Sequence, residues 1–368
     1  MTDKIRVGIV GATVTPGGSG WGANAHVPAL KALPQYELTA VCTAHEDTAK
    51  ASAAAFGVER AFHRFTDMAA HPEVDLVAVC VRVPGHRDLV MAGLQAGKSV
   101  LCEWPLGRTL AEAEEMAGLA SQRSIKTIVG LQARSAPAIL YARDLIQGGH
   151  IGDVLTANLT CVVQAQLQRG PGRIWQGVRA NGANVLTITG GHAIDALCAV
   201  LGEFAEVSAR VSTRIPEWRT LEGTPVPVDS PDSINVVGRL VSGAEVSVNV
   251  AAVPSNPGGN RIEIYGREGA LVIRADGSFN TGPSQVHGGK GKEPMASMPV
   301  PSKYRVAPEG TPSGPPYNVA QAYARAADAL RGRGSFDVDF NLAVRRHTLI
   351  DAIERASATG RSVRVDPV

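Results

Sequence analysis

The sequence has no run of about eighteen consecutive apolar residues, so no helical membrane span is expected. It also lacks any block of like charge that would mark a nucleic-acid stripe or a polybasic membrane patch. With 36 basic and 34 acidic residues the formal net charge is +2, and the expected partners are small molecules. Paired cysteines are missing as well: Cys42, Cys80, Cys102, Cys161 and Cys198 are scattered through apolar runs, without the close spacing of a zinc site or a disulfide framework. They read as reduced core residues of a cytoplasmic protein, and no metal site is expected. The opening residues lack a signal-peptide profile, and the short apolar stretch from Val7 to Ala12 reads as a first strand.

What the chain does have is apolar material for two cores. Hydrophobic residues make up 44% and charged residues 19% of 368 positions, an ordinary globular composition at a length that points to two domains. Up to about Arg134, short β-rich runs (Ile5 to Val10, Glu37 to Cys42, Leu76 to Val81, Ser99 to Cys102, Thr127 to Leu131) alternate with helical segments rich in alanine. Such alternation predicts an α/β Rossmann domain with a parallel, doubly wound sheet over residues 1–133. From Val154 the pattern changes to long alternating runs without intervening helices, including Ser233 to Leu240 and Glu245 to Val250. Residues 134–368 are therefore expected to form an α+β domain with a large, mainly antiparallel open sheet. A helix is expected over Ile188 to Leu201, a surface excursion over Gly277 to Pro316, and two amphipathic helices near Val319 to Gly332 and Asn341 to Thr359. An open sheet covered on one face suggests a homo-oligomer, a dimer or a tetramer.

Gly8 and Gly11 follow the first strand, where a glycine turn lets backbone N–H groups and a helix N-terminus meet a pyrophosphate. The spacing departs from G-x-G-x-x-G, because the turn extends through Thr13, Pro16 to Ser19 and Gly20 to Trp21. At the end of the second strand, where the adenosine ribose is read, stand Thr43, His45 and Glu46 rather than a carboxylate directly on the strand. NAD is the expected cofactor, with NADP left open. Arg82, Pro84 and His86 follow another strand; Glu103, Trp104 and Pro105 follow the next; Gln132 and Arg134 follow a third. All lie where parallel α/β sheets bind ligands.

The order of these blocks resembles the glucose-fructose oxidoreductase and inositol dehydrogenase (Gfo/Idh/MocA) family. The stretches Gly149 to Val154, Ile262 to Leu271 and Arg361 to Val365 extend the resemblance over nearly the whole chain. It implies a nucleotide-binding N-terminal domain and a sheet-faced C-terminal domain. Family dehydrogenases usually carry Glu-Lys-Pro where this chain has Glu103, Trp104 and Pro105, and an aspartate four residues before a histidine where it has Ile188 and His192. Tryptophan after the glutamate, and the stretches Leu131 to Pro137 and Gly191 to Asp195, are similar to the branch that contains the fungal galactose-pathway repressor.

His192 and Asp195 are three apart on the expected helix and share a face, so they are candidates for a catalytic pair. A histidine near neutral pKa suits general acid–base work beside a hydride acceptor. In the loop from Arg169 to Gly182, Arg173, Trp175 and Arg179 are candidates for clamping an anionic sugar, with Arg134 and His192 as further substrate contacts. The reading that results is an NAD(P)-dependent oxidoreductase acting on a sugar or polyol. Two alternatives remain: a redox-neutral glycosidase that oxidises its sugar transiently at C3, eliminates, adds water and re-reduces; and a non-catalytic dinucleotide or sugar sensor.

Overall fold

A computed structural model describes residues 4–14 and 20–365; Pro16 to Ser19 of the expected glycine turn lie outside the described residues. The chain divides into two compact units. The first takes the described residues up to Leu131 together with Pro171–Arg173 and Val306–Val344; the second takes Gln132–Gly170, Ile174–Arg305 and the described residues from Arg345 onward.

In the first unit the chain runs through β1 (Ile5–Val10), a π-helical turn over Gly22–His26 that continues into α1 (Val27–Ala32), β2 (Tyr36–Cys42), α2 (Glu46–Phe56), β3 (Arg60–Phe62), α3 (Phe65–Ala70), β4 (Leu76–Val79), α4 (His86–Gln95), β5 (Ser99–Glu103), α5 (Leu110–Gln122) and β6 (Thr127–Gly130). These strands pair in parallel in the order β3-β2-β1-β4-β5-β6. This is a doubly wound sheet whose direction reverses between β1 and β4, the crevice where dinucleotides bind. Burial on both faces explains why β1 and β4 read as near-continuous apolar runs. Local caps fix the helices: Thr109 accepts from the Glu112 amide at the start of α5, and Gly57 closes α2 with φ of 64°.

The second unit contains α6 (Pro137–Gln147), β7 (Val154–Gln164), α7 (Gly191–Leu201), β8 (Phe204–Ser212), a hairpin of β9 (Glu217–Arg219) and β10 (Pro225–Pro227), then β11 (Ser233–Leu240), β12 (Glu245–Val253), β13 (Gly259–Gly266), β14 (Gly269–Ala275), β15 (Gln285–Lys290) and β16 (Ala296–Ser297). With β17 (Val363–Arg364), and among the described residues, they build a nine-stranded sheet in the order β16-β15-β14-β13-β7-β12-β11-β8-β17. Its neighbours are antiparallel except for β7 and β12, which run parallel. Strict alternation of buried and exposed residues along β11 shows one face packed and the other open. On the open face Asn249 donates to Asn235 and Ser247 to Asn158. The expected surface excursion from Gly277 to Pro316 thus contributes two strands, β15 and β16.

The chain then returns to the first unit. There α8 (Pro315–Leu330) packs on α1 and the π-turn, and the Val129 amide bonds the Val338 carbonyl. Sequence periodicity assigns this stretch to the second domain, but the apolar face of α8 (Val319, Ala320, Tyr323, Ala326, Ala327) joins the core of Ile9, Leu30, Leu76 and Leu101. The division falls within α9 (Phe340–Thr359), between Val344 and Arg345.

Candidate active site

The turn after β1 begins at Gly11, at the C-terminal edge of the sheet. Gly11 has φ of 91°, its amide bonds the Cys42 carbonyl, and a Cβ on it would lie 2.5 Å from the Cys80 carbonyl oxygen. Only glycine fits there. Thr13 and Gly20 follow, and Trp21 opens the helix, half-buried and edge-on to the His26 ring at 6.4 Å. A glycine turn leading into a helix N-terminus at the C-terminal edge of a parallel sheet fits a dinucleotide pyrophosphate. Gly8 does not belong to this turn. It lies inside β1, where Met68 and Val74 fill the space of its missing side chain.

At the end of β2, Thr43 is buried and its hydroxyl bonds the Thr48 hydroxyl (2.6 Å) and the His45 carbonyl (3.0 Å), which fixes the start of α2. His45 is exposed at that start, while Glu46 pairs with Lys50 on the surface of α2. After β4, the exposed Arg82 donates to the Pro171 carbonyl at 3.1 Å and Pro84 lies in an exposed turn. His86 is buried, with Nδ1 2.9 Å from the Pro105 carbonyl and Nε2 3.1 Å from the Val81 carbonyl. Burial lowers its pKa against the opposing pull of these carbonyls, so one nitrogen donates at a time. Expected as a cofactor ligand, His86 instead ties the loop after β4 to the loop after β5, with both ring nitrogens facing the backbone.

Glu103 ends β5 next to a buried Trp104, and the Trp104–Pro105 bond is cis. Its carboxylate lies 2.9 Å from His26 Nε2, and His26 Nδ1 lies 3.0 Å from the Tyr323 hydroxyl. Sequence reasoning missed both partners. The available signal was a lone polar residue inside the apolar run Ala25 to Leu30. A groove of about 330 Å³ near Ser121, Lys126 and Phe336 opens where β6 begins, at the opposite edge of the sheet from Glu103.

In the second unit, Asn184 and Thr187 form a reciprocal cap on a π-helical turn over Val185–Gly190, which runs into α7. His192 lies one residue into α7 and is 8% exposed. Such π-turns recur at functional sites. Two guanidiniums engage the Asp195 carboxylate. It is fully buried; Arg134 Nε reaches both its oxygens at 3.0 and 2.9 Å, and Arg346 Nε reaches Oδ1 at 3.1 Å. Burial alone would raise its pKa, but the two guanidiniums outweigh that and hold it below the ordinary carboxylate range. Arg346, also fully buried, donates to both Glu203 oxygens at 2.9 Å. Arg134, expected at the substrate, is thereby committed to an internal ion cluster.

Gln132 is buried in the second unit. In the arginine-rich loop, Arg173 is exposed and clusters with the first unit, and Trp175 is half-buried, its carbonyl accepting from Asn181. Arg179 pairs with Glu354 at 2.7 Å. Arg169 stacks on Trp218, 3.5 Å from the ring centre, a contact between residues far apart in the chain. Among the described residues, no group of three or more His, Cys, Asp or Glu side chains could hold a metal.

Residues 5–131 match the oxidoreductase family with an NAD-binding Rossmann fold, and residues 137–275 match the C-terminal domain of Gal80p. Dehydrogenase aclE of Aspergillus oryzae is 35% identical over 285 residues, covering 74% of this chain and 77% of that protein. The chain belongs to this oxidoreductase family. The galactose/lactose metabolism regulatory protein GAL80 of Saccharomyces cerevisiae is 29% identical over 75% of the chain and 68% of its own length. In fold, the chain is similar to levoglucosan dehydrogenase in complex with NADH and levoglucosan: TM-score 0.84, 24% identity, 99% of this chain and 100% of the other. No described helix is long and apolar enough to cross a membrane.

Proposed function

We propose that this chain is an NAD(P)-dependent oxidoreductase acting on a ring hydroxyl of a sugar or polyol, with His192 as the proton carrier. The observation that carries the reading is the glycine turn at Gly11 leading into a helix at the switch point of the first sheet. Relatives whose names specify sugar substrates, levoglucosan dehydrogenase among them, support the substrate class. Gly11, Gly20 and Trp21 would hold the pyrophosphate, Thr43 and His45 the adenosine ribose, and Glu103 the nicotinamide end. A bound dinucleotide supplies the hydride acceptor. The chain must add a base for the hydroxyl proton, and Trp104 has no group that can carry one. His192, nearly buried on a helix entered through a π-turn, is the side chain with suitable chemistry. Arg173, Trp175 and Arg179 are left as contacts for an acidic sugar; the Arg179–Glu354 pair is exposed and exchangeable.

The match to Gal80p over residues 137–275, together with Trp104, favours a second reading as a non-catalytic sensor. Incubating the protein with NAD or NADP and a panel of sugars and aryl glycosides, while following reduced nicotinamide and released phenol together, separates the readings. Stoichiometric reduction of the nicotinamide is expected. Phenol release without net reduction would assign redox-neutral glycoside cleavage, and dinucleotide binding with neither signal would assign the sensor.

A further inference from the structure

We propose that His26 is a positioning residue of the dinucleotide site: anchored on Tyr323 of α8, it fixes the Glu103 carboxylate for the nicotinamide half of the ligand. The inference rests on the dinucleotide reading above and adds to it the device that orients one of its groups.

The tautomer of His26 that carries its hydrogen on Nε2 satisfies both contacts. Tyr323 O–H donates to Nδ1 at 3.0 Å, and Nε2–H donates to Glu103 Oε1 at 2.9 Å. Burial pushes the Tyr323 hydroxyl well above its usual pKa, so it stays a donor. The Tyr323 backbone is held in turn, because the Tyr36 hydroxyl donates to its carbonyl at 2.7 Å, and the two tyrosine rings meet edge to face. On its other side Glu103 lies across Gly130, its partner in the β5–β6 register, where any side chain would collide with the carboxylate. The carboxylate is therefore pinned between a bare backbone and an imidazole. The relay does not lead out of the protein: His26 and Tyr323 are each 1% exposed and Tyr36 is 3% exposed. A buried dead end orients a group; it does not deliver protons to solvent. The strand order places Glu103 on the side of the switch point away from β2, the nicotinamide side. His26 also ends a π-turn, a backbone irregularity frequent at functional sites.

The test compares two ligands, NADH and ADP-ribose, which lacks the nicotinamide, by equilibrium binding to the full chain. His26→Ala is expected to weaken NADH about tenfold, the loss of one charge-assisted hydrogen bond, while ADP-ribose stays within about twofold. His26→Gln keeps a donor at the Nε2 position and should recover most of the loss. Tyr323→Phe keeps the ring packing and should weaken NADH by about threefold with the same selectivity. If His26→Ala does not fold, the latter two variants decide. Equal weakening of both ligands, or unchanged NADH affinity, overturns the inference while leaving the dinucleotide reading intact. Failure of the unmodified protein to bind NADH and ADP-ribose overturns both.

Discussion

Replacing Asp195 by asparagine keeps the side chain's shape and removes its charge, which isolates what the buried cluster does. In the native chain the carboxylate faces Arg134 and Arg346, and both Asp195 and Arg346 are wholly shielded from water. With asparagine, Glu203 remains as an acidic partner of the two guanidiniums, and an amide N–H can point at a guanidinium. Breaking a buried pair by removing one partner costs about 3–5 kcal/mol. At roughly 2–4 °C per kcal/mol for a unit of this size, the melting temperature of the second unit should fall by roughly 10 °C. Acid should act the same way on the unmodified protein. The folded-state pKa of Asp195 is depressed, so its stabilisation is present above the unfolded value of about 3.9 and is lost as pH falls through the lower folded value. In the variant that component of acid sensitivity should be missing. Circular dichroism melts, with turnover measured well below the transition, read both quantities. An Asp195→Asn protein that melts like the native one yet loses turnover by orders of magnitude would refute the structural role and restore Asp195 as a catalytic group.

Gly11→Ala should cost at least about 2 kcal/mol, since a side chain at positive φ is strained and its Cβ meets the Cys80 carbonyl; a urea midpoint and a dinucleotide titration should show loss of both stability and binding. His347 is buried and its pKa is pushed down to about 3 by that burial. The unfolded chain takes up a proton near pH 6.5 and the folded chain does not until about pH 3, so stability should fall with pH across that window by no more than about 1.4 kcal/mol per pH unit. His347→Gln should flatten this slope in urea titrations between pH 7 and 4; an unchanged slope would place the titrating group elsewhere.

Both sheets were legible because their residues had to satisfy burial. Apolar runs such as Leu76 to Val79 announce strands covered on two faces, and the alternation of Ser233 to Leu240 announces a strand covered on one. β15 was not legible: Gln285 to Lys290 carries two glycines and a lysine, and its conformation comes from pairing with β14 rather than from its own propensities. Nor could periodicity tell which core α8 would join, because an amphipathic face specifies burial and not a partner. The candidate site divided in the same way. Spacing put His192 and Asp195 on one helical face, yet the cations that claim Asp195 come from 61 residues earlier and 151 residues later. His86 follows the same logic: position put it at the ligand-binding edge, and only geometry reveals backbone carbonyls at both ring nitrogens.

The most direct test of the central claim sets turnover against binding in His192→Asn, which keeps a polar side chain without a titratable base. The purified native and variant proteins are titrated with NAD, then supplied with sugars that support reduction of the nicotinamide. The expected result is an unchanged affinity for NAD with turnover lower by about 10²–10⁴-fold, the usual contribution of a positioned proton carrier. Equal turnover in the two proteins, or dinucleotide binding without turnover in either, would contradict a sugar oxidoreductase that uses His192.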